Sequence, residues 1–143
     1  MIPIHTSYVT NTTFGDRIKQ DLLPIFCIKS IYKSETIGKY SGTCIHFPDL
    51  APSYKLSQDL RNGSVQRPEF EKSYLLEIGN IDIPEFVNKI QYLGKISGAK
   101  GIILYGYGKD TNYCHRTTLA GLLCNLGLVN YEIKEYGSED GRI

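Results

Sequence analysis

The chain has 143 residues, which is the size of one compact domain and is long enough to bury a hydrophobic core without disulfides or metal ions. Lys and Arg total 16 and Asp and Glu total 15, so the net charge of +1 provides no overall attraction to nucleic acid or to a membrane surface. We recognise neither a signal peptide nor an apolar run near the roughly 18 residues that span a bilayer, and we expect a cytoplasmic protein without a membrane partner. Any anion that binds must be held by a local pocket.

The first part of the chain contains three segments that predict β-strands. Residues 2–8, 22–28 and 43–47 are short, apolar and rich in residues that favour strands. Between the second and the third, residues 30–42 are polar and predict an exposed loop. A Pro-Ser pair then begins a predicted helix over residues 52–60.

Two helices and a central strand follow. Apolar residues recur at helical spacing over 68–78 and 84–96, and each of these segments begins with a proline. The run from Gly101 to Tyr105 is continuously apolar, which predicts a strand that is buried on both faces.

A last helix, a last strand and a tail complete the chain. Residues 117–126 place leucines on one side of a helix, 131–136 alternate as in a strand, and 137–143 are polar and predict a flexible tail. Strands that alternate with helices are typical of doubly wound folds. We therefore predict a single α/β domain over 1–136, with a Rossmann-like three-layer fold, a mostly parallel sheet and helices on both faces.

The four cysteines predict reduced thiols rather than a metal site or a disulfide framework. They lie far apart and form no Cys-x-x-Cys pair, so we expect no metal ion and no cofactor. Three of them have apolar neighbours, which is typical of buried core thiols: Cys27, Cys44 and Cys124. Cys114 differs, because it lies in the polar segment Tyr113 to Arg116 between an apolar strand and an apolar helix.

The loop after the central strand is the main candidate site, because ligands of open α/β sheets bind beyond the carboxyl ends of the strands. Two glycines flank Tyr107 and allow a ligand to approach the backbone, and Lys109 supplies a positive charge. The N-terminus of the next helix favours phosphate or carboxylate groups. Arg116 in its first turn could clamp such an anion with two hydrogen bonds.

The chemistry of Cys114 and His115 has two interpretations each. A thiol at a helix N-terminus beside His115 and Arg116 has a lowered pKa and can be a nucleophile. Cys114 could instead be a small residue that packs under the helix, and His115 could face the pocket or be a buried core histidine. Glu77 is a further candidate acid or base, or else a solvated surface carboxylate.

Other polar residues are expected at the same edge of the sheet. Ser7 and Tyr8 end the first strand and Lys29 follows the second, although a polar turn also explains the first two. The cations could converge on one polyanionic ligand, and the tyrosines could stack on a nucleotide base. The predicted ligand-binding residues are Ser7, Tyr8, Lys29, Tyr107, Lys109, Tyr113 and Arg116.

From about Thr6 to Leu126 the chain resembles the domain-of-unknown-function 488 family. The shared blocks are Thr6-Ser7-Tyr8, Leu50-Ala51-Pro52-Ser53, the aromatic and Tyr-x-x-Glu segment from Phe70 to Glu77, and Cys114-His115-Arg116. The resemblance implies a compact α/β domain with polar residues near the Cys-His-Arg turn, and it implies no settled reaction. Many members carry Cys-Tyr-Glu where this chain has Gly106-Tyr107-Gly108, and Arg in place of Lys29. Because that carboxylate and that thiol are missing, we favour binding over catalysis.

The sequence thus predicts a protein that binds a nucleotide or another phosphate-bearing ligand around Cys114, His115 and Arg116, with weak catalysis or none. The alternative is an enzyme that acts on nucleotides or nucleic acid, with Cys114 or His115 in the chemical step. A third interpretation is an inhibitor that contacts a macromolecular partner through the surface loop 30–42.

Overall fold

The computed structural model of the chain describes residues 1–8, 22–29, 45–106 and 110–135. Within these ranges, five strands form one sheet: β1 (Ile4–Tyr8), β2 (Leu22–Phe26), β3 (Ile45–His46), β4 (Gly101–Gly106) and β5 (Lys134–Glu135). They are accompanied by four α-helices: α1 (Tyr54–Arg61), α2 (Arg67–Glu77), α3 (Ile83–Ile96) and α4 (Arg116–Asn125). Two short 3-10 turns cover Pro48–Leu50 and Thr111–Tyr113. The predicted loop 30–42 and tail 137–143 lie outside the described residues.

Side-chain caps explain where the predicted helices begin. Ser53 caps α1, because its hydroxyl accepts a hydrogen bond of 3.2 Å from the Leu56 backbone N–H, and α1 therefore begins two residues after Pro52. Asp82 caps α3 in the same way through the N–H of Glu85, at 3.0 Å. These bonds satisfy N–H groups that have no partner within the helix.

The sheet is parallel throughout, in the order β3-β2-β4-β1-β5, so the predicted α/β class is confirmed. The central strand is β4, and all six of its residues are buried, as its unbroken apolar run predicts. It pairs with β1 in the register Ile4 to Ile102 and with β2 in the register Ile25 to Leu104.

Within the described residues, part of each predicted edge strand is not paired as a strand. Ile45–His46 and Lys134–Glu135 pair, whereas Phe47 and residues 131–133 of the predicted strands 43–47 and 131–136 do not, and residues 43, 44 and 136 lie outside the described ranges. Each of these edge strands pairs with one neighbour among the described strands, so its ends gain less from the sheet. Tyr131 makes a side-chain contact to the sheet instead, because its hydroxyl accepts a bond of 3.1 Å from the backbone N–H of Ile4.

Both faces of the sheet are buried, in agreement with the predicted three-layer architecture. Alternation along β4 directs Ile102 and Leu104 into the core cluster that all four described helices share. The opposite face carries Ile103 and Tyr105, which are also buried, and the Tyr105 ring stacks on Phe26 with centroids 5.0 Å apart. None of the helices in the described ranges has the length and apolar character needed to cross a bilayer.

Candidate functional site

The candidate site lies where two neighbouring parallel strands, β1 and β4, reach their carboxyl ends. The next described strand after β1 is β2, on the far side of β4, whereas β4 is followed by β5, on the far side of β1. The two connections therefore leave the sheet in opposite directions, which is the arrangement at which open α/β sheets bind ligands. The N-terminus of α4 lies at this point and brings Cys114, His115 and Arg116 with it.

Gly106, the last residue of β4, allows α4 to approach the sheet this closely. A Cβ atom at this position would overlap the Sγ of Cys114 and would lie 3.5 Å from the Cβ of Arg116. A larger side chain would therefore displace the thiol. This glycine was predicted to give a ligand access to the backbone, and in the structure it makes room for Cys114.

The chain enters α4 through a tight turn. The carboxylate of Asp110 accepts a bond of 2.9 Å from the N–H of Asn112, and the N–H of Cys114 donates to the carbonyl of Thr111 at 3.3 Å. Cys114 itself is extended, with φ −133° and ψ 149°. The helix begins at Arg116, so Cys114 lies just outside its N-terminus.

The Cys114 thiol is buried, with 4% of its surface exposed. Its Sγ lies 3.9 Å from Nδ1 of His115, and the buried Arg116 follows at the start of α4. Burial alone would raise the pKa of this thiol, but the His115 hydrogen bond and the charges of His115 and Arg116 lower it to about 6. The favoured form at neutral pH is therefore the thiolate.

The Arg116 side chain is 1% exposed and is held by a carboxylate. Its Nε donates to Oε1 of Glu135 at 2.9 Å, and its Nη2 donates to Oε2 at 2.7 Å. Burial disfavours the guanidinium charge, but the Glu135 bonds and the neighbouring Cys114 raise the pKa of Arg116 overall. Thr6 donates to Oε1 of Glu135 at 2.9 Å, and the guanidinium lies 5.5 Å from the ring centroid of Tyr8. An anionic ligand would have to compete with Glu135 for this arginine.

His115 is buried against an aromatic ring of α2. Its ring centroid lies 5.3 Å from that of Tyr74, whose hydroxyl donates to the Leu50 carbonyl at 2.7 Å. Burial is the main cause that raises the pKa of Tyr74, and the charge of Cys114 adds to it, so this phenol stays protonated. Within the described ranges, Nε2 of His115 has no hydrogen-bond partner.

The structure brings some of the predicted residues to this centre. Tyr8 lies under Arg116, whereas alternation along β1 directs Ser7, which is fully buried, to the opposite face. Lys29 and Tyr113 are exposed. Tyr107 and Lys109 lie outside the described residues, as does Cys44, and their predicted positions stay predictions.

Several residues of the site were missed by sequence analysis. Glu135 lies 19 residues beyond Arg116, and only the pairing of β5 with β1 places it opposite Thr6. Arg67, at the start of α2, donates to carbonyls of the turn before α4. Glu77, by contrast, was named as a candidate acid or base or a solvated carboxylate; it is exposed, and its carboxylate accepts bonds from the backbone N–H and the hydroxyl of Ser53, at 2.8 and 2.5 Å. None of these contacts has a signature in local sequence.

Within the described ranges, the His, Cys, Asp and Glu side chains form no cluster suited to a metal ion. No curated protein and no solved structure matches the chain. Residues 30–127, well over half of the chain, match the family model of the active DUF488-N3 subclade, and the match begins after Thr6-Ser7-Tyr8. The chain therefore belongs to the domain-of-unknown-function 488 family, in its active N3 subclade.

Proposed function

We propose that the protein is an enzyme in which the thiolate of Cys114 attacks an electrophilic centre of the substrate. The observation that carries this proposal is the environment of Sγ, which is buried, faces Nδ1 of His115 at 3.9 Å and lies just before Arg116 at the N-terminus of α4. Nucleophilic cysteines are activated by this combination of a helix N-terminus and neighbouring cations. Membership in a subclade described as active supports catalysis as well.

His115 is suited to handle the proton of this reaction. It contacts the sulfur through Nδ1, and an imidazole can return a proton to the group that leaves the substrate. The second ring nitrogen, Nε2, is buried and has no partner within the described ranges. The attack forms a bond from sulfur to substrate, the leaving group departs with the electron pair of its bond, and it takes its proton from His115.

The charges around Cys114 favour a neutral electrophile over a polyanion. Arg116 pairs with Glu135, Arg67 pairs with Glu71, and His115 faces the thiolate, so each of these three cationic groups already has an anionic partner. A phosphate group placed against the sulfur would be repelled. For a nucleotide or nucleic-acid substrate, the reacting centre next to Cys114 would therefore belong to the base or the sugar.

The reactivity of the thiol can be tested with iodoacetamide, a small neutral electrophile. Mass spectrometry would measure alkylation at each cysteine as a function of pH, and Cys124 of the same chain is the internal control. We expect the rate at Cys114 to be half-maximal at about pH 6. Alkylation of Cys114 only in the pH range of an ordinary thiol would contradict the proposal.

Turnover would be sought with nucleoside mono- and diphosphates and a short single-stranded oligonucleotide. Cys114→Ser should remove any activity that is found and leave the fold intact. Activity that survives this substitution would exclude Cys114 as the nucleophile.

A second candidate function is the binding of a nucleotide or another phosphate-bearing ligand without chemistry. Lys29 favours it, because this exposed cation follows the carboxyl end of β2 at the same edge of the sheet as the N-terminus of α4. Calorimetry with mono-, di- and cyclic nucleotides should then show binding that Lys29→Ala weakens. An absence of heat with every nucleotide at high concentration would end this candidate.

A further inference from the structure

Arg67 occupies a position that helix energetics disfavour. It is the first residue of α2, and Pro68 follows it in the first turn. A cation at a helix N-terminus faces the positive end of the helix dipole. Its Nε donates to Oε1 of Glu71 at 2.9 Å, which offsets part of this repulsion but leaves four other N–H bonds to direct elsewhere.

Those remaining donors all reach the segment that carries Cys114. Nη1 lies within hydrogen-bonding distance of three turn carbonyls, and Nη2 donates to two hydroxyls in the first turn of α4. The acceptors are Thr111 O (2.9 Å), Asn112 O (3.1 Å), Cys114 O (2.7 Å), Thr117 Oγ1 (2.9 Å) and Thr118 Oγ1 (2.8 Å). One planar side chain thereby joins α2 to the turn and to the helix.

The contact with the Cys114 carbonyl is the shortest of these bonds. Because Cys114 is extended, its carbonyl points away from the helical series, which begins with the bond from Leu119 N to His115 O. The carbonyl therefore needs an outside donor, and Arg67 supplies it. The bond fixes the peptide unit between Cys114 and His115, the two residues whose side chains meet at 3.9 Å.

We propose that Arg67 is a positioning residue that holds the turn in the conformation in which the Cys114 thiolate meets His115 and the N-terminus of α4. This inference rests on the proposed function, because it concerns the activation of the same sulfur. Arg67 acts through the backbone and does not touch the sulfur. A lysine cannot replace it fully, since an ammonium group lacks the planar fork that reaches carbonyls and hydroxyls together.

The test is a titration of the thiolate by its ultraviolet absorbance, read as the difference between each protein and the same protein carrying Cys114→Ser. In the wild type we expect the Cys114 signal to be half-maximal at about pH 6. Arg67→Ala should move this midpoint upward by about one pH unit or more, toward an ordinary thiol, and Arg67→Lys should give a smaller upward move. The matched control is Arg61→Ala, which removes an exposed arginine of α1 and should leave the midpoint unchanged.

The outcomes separate this inference from the proposed function. A wild-type midpoint in the range of an ordinary thiol would overturn the proposed function, and the inference with it. A low wild-type midpoint that folded Arg67→Ala retains would overturn the role of Arg67 alone. If Arg67→Ala does not fold, Arg67→Lys decides, because a folded lysine variant with an unchanged midpoint would also overturn it. Circular dichroism establishes folding for each variant.

Discussion

Ionisation of Cys114 should make the stability of the protein depend on pH in a calculable way. The pKa of this thiol is lowered from an ordinary value of 9.0 to about 6 in the folded state. Between these two values only the unfolded chain binds the proton, so the free energy of unfolding rises with pH by about 1.4 kcal/mol per pH unit. The interval from 6 to 9.0 spans about three pH units, which gives about 4 kcal/mol. This contribution is complete above about pH 9 and is lost as the pH falls through about 6.

The perturbation that isolates this contribution is Cys114→Ser, since a serine hydroxyl does not titrate in this range. Denaturant unfolding of both proteins from about pH 5.5 to 9 gives the difference in free energy at each pH. We expect the free energy of unfolding of the wild type to rise relative to that of the variant by about 4 kcal/mol across the interval. Cys27 is present in both proteins, and burial and the Cys114 charge raise its pKa, so its own titration lies above this window. Parallel stability curves for the two proteins would refute the lowered pKa and the activation argued from it.

Three further predictions concern Glu135, Gly106 and His5. Glu135→Gln leaves the Arg116 charge buried with a weaker partner; because Glu135 is 26% exposed, we expect a loss of about 2–3 kcal/mol in denaturant unfolding, partly recovered when Arg116→Met is added. Gly106→Ala introduces a methyl group that overlaps the Cys114 sulfur, and it should cost about 1–3 kcal/mol and raise the midpoint of the thiolate titration. Burial lowers the pKa of His5, although its bond to the Lys134 backbone opposes this effect. Just below about pH 6.5 the unfolded chain therefore binds more protons than the folded one, and the free energy of unfolding should decrease as the pH is lowered. His5→Gln should reduce that decrease.

The fold could be predicted from sequence where the pattern is local. The apolar run of β4 is confirmed, and the helix starts predicted at Pro52 and Pro84 lie within two residues of those observed, Tyr54 and Ile83, because these signals depend on neighbours within a few residues. The prediction was wrong at Phe47 and at residues 131–133, which lie outside β3 and β5, because the length of an edge strand depends on how much of a partner strand is available. That quantity is fixed by the order of strands in the sheet, which a linear pattern does not specify.

The residues of the candidate site, too, could be predicted only where they are close in sequence. Cys114, His115 and Arg116 are adjacent in sequence, and the position of a helix start after an apolar strand was enough to single them out. Sequence analysis missed Glu135 and Arg67, because strand pairing and helix packing bring them to the turn from 19 and 47 residues away. Arg116 was predicted to bind an anionic ligand, because its neighbours in sequence do not indicate that a carboxylate of the same chain is its partner.

That carboxylate changes the balance between binding and catalysis. The sequence favoured binding because Gly108 replaces a carboxylate that many family members carry after the central strand. In the structure a carboxylate is nevertheless present beside the turn, supplied by Glu135 of β5. It pairs with the buried Arg116, whose charge lowers the pKa of the Cys114 thiol, whereas an unpaired buried arginine would be strongly destabilising. Arg67 thus holds the Cys114 carbonyl and Arg116 supplies a charge near the thiol. Both arginines already have partners within the chain. The arrangement is better suited to stabilise a thiolate than to attract a phosphate, and for this reason we place Cys114 at the centre of the chemistry.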